Sequence, residues 1–411
     1  MRVSPFAALR PQPELAARVA AVPYDVVNTE EARRLAEHEP LSFLHVSRSE
    51  IDLPPGTDPH SDEVYERALQ NLRALERKAL LREATPGLYL YRQETTLLGR
   101  KVAQTSLVGC CHIEEYESGI IKKHEKTRRD KEDDRTRHVL TLRTHTGPVF
   151  LLYRDRPSVT QLMEREMDQP PLYDFVAVDG VRHCVWRCAK PELYTSQFAN
   201  IDVAYIADGH HRAASAARAG AELRAKNPTH DGSEEYNWFL AALFPASQLT
   251  ILPYHRVIKD LNGLSKQALL AKLREIGSVE RAPEPSPKAP ASFGVYIDHE
   301  WYRFTLPPGS VDRRDPVGSL DYSLLQERVL SPLLGIGDVR TDQRIDFVGG
   351  IRGTGELEKR VDSGREAIAF ALGPTSIDQL LAVADAGQIM PPKSTWFEPK
   401  LRSGLLIHTI D

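Results

Sequence analysis

Residues 208–212 read Asp-Gly-His-His-Arg, set between the β-prone run Val203–Ile206 and an alanine-rich helical segment, Arg212–Lys226. A carboxylate, a glycine, two imidazoles and a guanidinium thus share one strand-to-helix turn. A helix N-terminus presents unpaired N–H groups and the positive end of the helix dipole, which suits an anion. Gly209 lets a phosphate approach the backbone with no Cβ in the way. Arg212 adds a bidentate grip, and His210 and His211 add donors. Asp208 would repel phosphate, so it points to Mg2+ or to a proton taken from an attacking hydroxyl. Together these residue types fit phosphoryl transfer, where positioning and charge neutralisation do most of the chemistry. The plain alternative is a capped helix, with Asp208 as N-cap and the histidines bonded locally.

A second stretch, KKHEKTRRDKEDDRTRH at 122–138, has no apolar residue in 17 positions. Such a run ordinarily means a solvated helix face. As a helix it would place His124, Arg128, Lys131 and Arg135 on one face and Glu125 with Glu132 on another. It has no apolar anchor of its own, so something else must order it, and nucleotide phosphates would. His124 and Glu125, with Asp208, are the expected catalytic residues. Thr127, Lys131 and Arg135 are expected at the nucleotide, and Asp134 joins Asp208 as an expected metal ligand. Near the C-terminus, MPPKSTWFEPK carries Lys393, Ser394 and Thr395, expected to bind substrate or form a lid. No glycine-rich loop precedes them and no helix follows, so this is not a Walker A motif; an ordinary packed loop is the alternative.

The elements that must hold these residues are short and loosely alternating. SFLHVSR (42–48) reads as a strand and 64–81 as a helix; 87–93 and 102–116 read as strands joined across 98–100. Strands follow at 147–155, 237–244, 249–258, 293–297 and 301–306, with helices over 264–276 and 322–334. The class is therefore α+β, or mixed α/β. The proline-rich stretch 282–290 reads as a linker between an N-terminal region, 1–281, and a C-terminal one, 291–411. Over 411 residues the net charge is −4, so no global field recruits nucleic acid. The absence of a long apolar run speaks against a signal peptide or membrane span and for the cytoplasm. Cys110, Cys111, Cys184 and Cys188 match no strong zinc signature and read as core residues in a reducing compartment.

In these motifs the sequence resembles a bacterial and archaeal family, domain of unknown function number ten-fifteen. The resemblance rests on PFxAL (5–9), PYDVV (23–27), SFLHV (42–46), KHExT with a following DR (123–127 and 134–135), IADGHHR (206–212), ILPYHRV (251–257) and MPPKSTWFEPK (390–400), and covers nearly the whole chain. The DGHHR turn is also similar to the phosphate-binding turn of the ParB/sulfiredoxin-like fold, and to that of free-serine kinases within it. That similarity implies a nucleotide-binding core of this fold with an additional α/β C-terminal region. It implies ATP or ADP with Mg2+, and phosphoryl transfer on serine or phosphoserine in either direction. It would put Gly209, His210, His211 and Arg212 on phosphate, and Asp208 near the metal or the acceptor hydroxyl. The expected partners are the nucleotide and a small-molecule substrate, with no nucleic acid or membrane; a homo-oligomer is compatible. Two rivals stand beside it. A ParB-like nucleotide switch would need a DNA-binding module, and none is visible. A metal-dependent hydrolase would use His124, Glu125, His210 and His211, whose spacing is not that of a zincin.

Overall fold

The computed structural model describes residues 1–287 and 289–411. It divides into two units, residues 1–249 with 399–411, and residues 250–398. The division therefore falls at Leu249 and again at Glu398, not in the proline-rich stretch 282–290 expected to be the linker. That stretch connects two strands of one sheet: Ala282 donates its N–H to Trp301 O, and Pro285 O lies where a Cβ on Gly294 would sit. Lys288 lies outside the described residues.

The first unit is built on a nine-stranded sheet. Its strands are β1 (Val3–Ser4), β2 (Tyr89–Leu97), β3 (Arg100–His112), β4 (Ile121–Lys122), β5 (Val149–Tyr153), β6 (Tyr173–Val176), β7 (Arg182–Arg187), β8 (Ala204–Asp208) and β9 (Trp238–Pro245). They run in the order β4-β8-β5-β9-β3-β2-β7-β6, with β1 alongside β3. The β4–β8 and β5–β9 pairs are parallel and the others antiparallel. Continuous apolar runs such as VFLLY and FLAALF mark strands buried on both faces, and both are buried throughout. With α1 (Asp62–Lys78), α2 (Arg129–Leu142) and α3 (His210–Lys226) in the same unit, the class is mixed α/β, as expected. The four cysteines are buried and unbridged. No helix among the described residues is long and apolar enough to cross a membrane.

SFLHV is not a strand. Leu44–Ser47 forms one helical turn, in which the N–H groups of Ser47 and Arg48 bond back to Phe43 O and Leu44 O. Ser42 Oγ accepts from Leu44 N–H at its start, and Phe43 and Val46 are fully buried. A run as short as SFLHV cannot by itself distinguish the two conformations.

Helix α3 is alanine-rich because it lies close against its neighbours. Ala213, Ala214, Ala216, Ala217, Ala219 and Gly220 are all buried. A Cβ on Gly220 would sit 2.6 Å from Tyr236 O and 2.6 Å from Ile113 Cδ1. Helix propensity alone favours alanine there by about 1 kcal/mol. Overpacking costs about 1–3 kcal/mol, and a backbone carbonyl yields little. Gly220→Ala is therefore expected to destabilise by about 1–2 kcal/mol in a urea titration; a stabilised variant would mean that the helix stands further off.

The second unit is a six-stranded antiparallel sheet of β10 (Tyr254–Ile258), β11 (Ser278–Arg281), β12 (Ser292–Ile297), β13 (Glu300–Thr305), β14 (Ile345–Gly349) and β15 (Ile368–Ala371), in the order β11-β13-β12-β15-β10-β14. Helix α4 (Lys266–Ile276) buries Leu269 and Leu273 with Phe293, Phe304 and Phe370 in its core. Arg256 is buried between the rings of Tyr322 and Phe347, 4.9 and 4.7 Å from their centres. It donates to the carbonyls of Tyr254, Lys393 and Pro392, which fixes the 390–395 loop. Burial pulls its guanidinium down to about 10.

Candidate functional site

Strand β8 ends at Asp208, just after its register with β5 slips between Ile206 and Asp208. Such a bulge re-aims the side chain that follows it. Gly209 then adopts φ +91°, and α3 begins at His210. The space a Cβ would fill at Gly209 is taken by the Arg212 guanidinium, with Cζ and Nε each 3.0 Å away. The glycine thus admits the arginine over the turn, where the sequence suggested room for phosphate. Asp208 does not cap the helix: Gly209 is the N-cap and offers no side chain to the first turn. Instead Asp208 Oδ1 accepts from Gly209 N–H at 2.9 Å, and Oδ2 accepts from Lys400 Nζ at 3.2 Å. Arg212 Nη2 stands 3.7 Å from the same carboxylate. Burial opposes the charge on Asp208, but Lys400 and Arg212 outweigh it and hold the carboxyl well below its usual range. Arg212 Nη1 donates to Pro148 O, while its buried Nε meets no acceptor. An uncapped helix start beside a guanidinium with an unmet N–H is an arrangement suited to an anion.

The charged stretch reaches the same turn through the sheet. Parallel pairing of β4 with β8 sets Lys122 opposite Tyr205, so the residues after both strands emerge at one end. The same separation of 83 residues persists where Arg128 N–H donates to His211 Nε2 at 3.0 Å and Ser215 Oγ donates to Glu132 O at 3.2 Å. Helix α2 starts only at Arg129, because Thr127 and Arg128 are tied locally, to Glu132 and Asp130. His124, Glu125 and Arg128 therefore lie on a loop, and the single helical face expected from 124 to 135 reduces to Lys131 and Arg135. The rings of His124 and His210 meet edge to face, with centres 4.6 Å apart. His210 Nδ1 is 3.8 Å from Glu125 Oε2. Burial lowers His124 to about 4. Burial, with His124 beside it, takes His210 well below its ordinary value. Both are neutral imidazoles at neutral pH.

Arg135 and Asp134 are engaged with each other. Their ion pair is 2.7 Å, and Arg135 also stacks on Tyr24 at 4.1 Å. Burial works against the Arg135 charge, but Asp134 more than offsets it. Asp134 Oδ1 accepts the Tyr65 hydroxyl at 2.7 Å, so both oxygens are in use. Its position is that of an anchor for Arg135, where the sequence suggested a metal ligand. Arg135 and Arg212 line one pocket together with Tyr24, His138, His145 and Ser403. Lys393, Ser394 and Thr395 belong to the second unit. There the Lys393 ammonium lies over the Tyr254 ring at 5.4 Å, and Ser394 Oγ donates to Pro391 O.

The sequence does not single out Tyr24 and Lys400 as site residues. Each sits inside a quoted motif, PYDVV or MPPKSTWFEPK, and that was the available signal.

No curated protein significantly matches the chain. Similar solved structures include SbnI with a C-terminal truncation from Staphylococcus aureus, 12% identical with a TM-score of 0.38, covering 73% of this chain and 87% of that one. A free serine kinase in complex with AMP is 10% identical with a TM-score of 0.36, covering 73% and 91%. A conserved hypothetical protein from Pyrococcus furiosus is 11% identical with a TM-score of 0.34, covering 73% and 94%. A family model described as protein of unknown function (DUF1015) matches residues 3–323, more than half of the sequence. The KHExT and DGHHR motifs at the β8–α3 turn lie within that match, Lys400 lies beyond it, and the chain belongs to the DUF1015 family.

Proposed function

We propose that this protein transfers a phosphoryl group between a nucleotide, ATP or ADP, and a small hydroxylated metabolite, with serine and phosphoserine as the pair. The observation that carries the reading is the uncapped start of α3 beside the unmet Nε of Arg212. Backbone N–H groups of residues 210–212 and the Arg212 guanidinium would hold the transferring phosphate. The DGHHR similarity supplies the choice of serine and of a ParB/sulfiredoxin-like core.

In the kinase direction, a bond forms between the acceptor hydroxyl oxygen and phosphorus. The bond from phosphorus to the leaving nucleotide oxygen breaks. Charge spreads over the phosphoryl oxygens, where Arg212 and the helix dipole act on it. The hydroxyl proton passes to Glu125, or to solvent where Glu125 is bound to a cation. Asp208, held charged by two cations, is too weak a base for that proton; it fixes Arg212 and Lys400 in place. His211 is oriented by the Arg128 N–H, and Arg135 lines the adjoining pocket. Mg2+ would supply further neutralisation, carried mainly on the nucleotide's oxygens, since the carboxylates of Asp134 and Asp208 are each already paired with protein cations.

The test is a melting screen with ATP, ADP, serine and phosphoserine, with and without Mg2+, followed by a transfer assay in both directions. A nucleotide at about 100 times its Kd should stabilise the protein by about 2.7 kcal/mol. Labelled phosphoserine should form from serine, or serine from phosphoserine. No shift with either nucleotide, together with no transfer either way, would dismiss the reading.

A further inference from the structure

We propose that His124, Glu125 and His210 form a site for one divalent transition-metal ion. This does not depend on the phosphoryl-transfer reading. One donor atom from each of the three side chains lies within 4.8 Å of the others. By hydrogen-bond geometry both ring nitrogens of His124 and Nε2 of His210 are buried without a partner among the described residues, although the Ile206 carbonyl faces the His124 ring. Their side chains are 1% and 5% exposed, so water does not serve these atoms from the surface. A buried polar atom left unpaired costs about 1–3 kcal/mol, and three of them in one place call for an occupant. Imidazole nitrogens with one carboxylate oxygen are the donors of Zn2+, Co2+, Ni2+ and Mn2+ sites, whereas Mg2+ and Ca2+ take oxygen.

The fold places the trio deliberately. His124 and Glu125 follow β4, and His210 opens the helix after β8, its parallel neighbour. Tetrahedral bonds of about 2.1 Å separate donors by about 3.4 Å, so closure asks side-chain shifts on the order of 1 Å. Three protein ligands leave a position open for water or a substrate oxygen, the pattern of metal sites that act on a ligand. His211 stands outside the set, because its Nε2 accepts from Arg128 N–H.

Titration of the chelator-stripped full chain with Co2+ tests this, read by visible absorption, and then by Zn2+ competition. One equivalent should bind, with d–d bands that persist in a thousandfold excess of Mg2+. His124→Gln and His210→Gln should each weaken binding at least 100-fold, and His211→Gln should leave it unchanged. Circular dichroism melting establishes that each variant folds. Should either core variant fail to fold, Glu125→Gln, whose side chain is 43% exposed, should still shift the bands and weaken binding. Absence of stoichiometric binding, or binding that none of these variants alters, would overturn the site; the chain has 14 histidines to bind metal adventitiously.

Discussion

Arg212→Ala is expected to lower kcat/KM for phosphate transfer between nucleotide and serine by about 100- to 1,000-fold, the loss typical of removing one preorganised donor to developing charge. Arg212 is the side chain that folds over Gly209, faces Asp208 and lines the pocket with Arg135. Its role depends on a planar fork, so Arg212→Lys should restore little despite keeping the charge. Steady-state assays of both variants, with melting curves to correct for folding, decide it. Turnover unchanged in Arg212→Ala would take the turn out of the mechanism.

The second large effect falls on stability. Asp208→Asn removes the negative partner of Lys400 and Arg212, whose side chains are each 14% exposed. Two cations would then face each other with little water. Breaking a buried pair costs about 3–5 kcal/mol; because Asp208 is itself 29% exposed, we expect about 2–3 kcal/mol. The pH dependence has a definite sign. The folded-state carboxyl lies below its unfolded value, so its contribution is fully present above the ordinary carboxylate range and is lost as pH falls through the folded value. Urea titrations should therefore show a gap between wild type and Asp208→Asn that is constant from about pH 5 to 8 and narrows towards pH 3. A gap that widened on acidification would contradict the assignment of Asp208 as a charged anchor.

What could be read from the sequence was local. The abrupt passage from AYIA to DGHHR to an alanine-rich run contains its own strand, turn and helix start, and the structure has all three, with the strand reaching Asp208 and the helix starting at His210. The hairpin of β2 and β3 is likewise legible, since two β-prone runs flank one short turn. Contacts set by register were not. That His124 meets His210 follows from β4 lying parallel to β8, and no periodicity within either segment encodes that pairing. Lys400 reaches Asp208 across 192 residues because the chain returns to the first unit at Pro399. The charged stretch misled for another reason. Read as a helix, it would already be helical at His124, but side-chain bonds to the backbone and to neighbouring carboxylates accompany a helix start at Arg129.

The claim on which the mechanism stands is that the first turn of α3 is an anion cradle. A crystal structure of the protein with ADP and Mg2+ tests it most directly. The terminal phosphate should lie within hydrogen-bond distance of the backbone N–H groups of His210, His211 or Arg212, with Arg212 Nε turned to it. Nucleotide bound elsewhere, with those N–H groups bonded to protein or left to water, would contradict it.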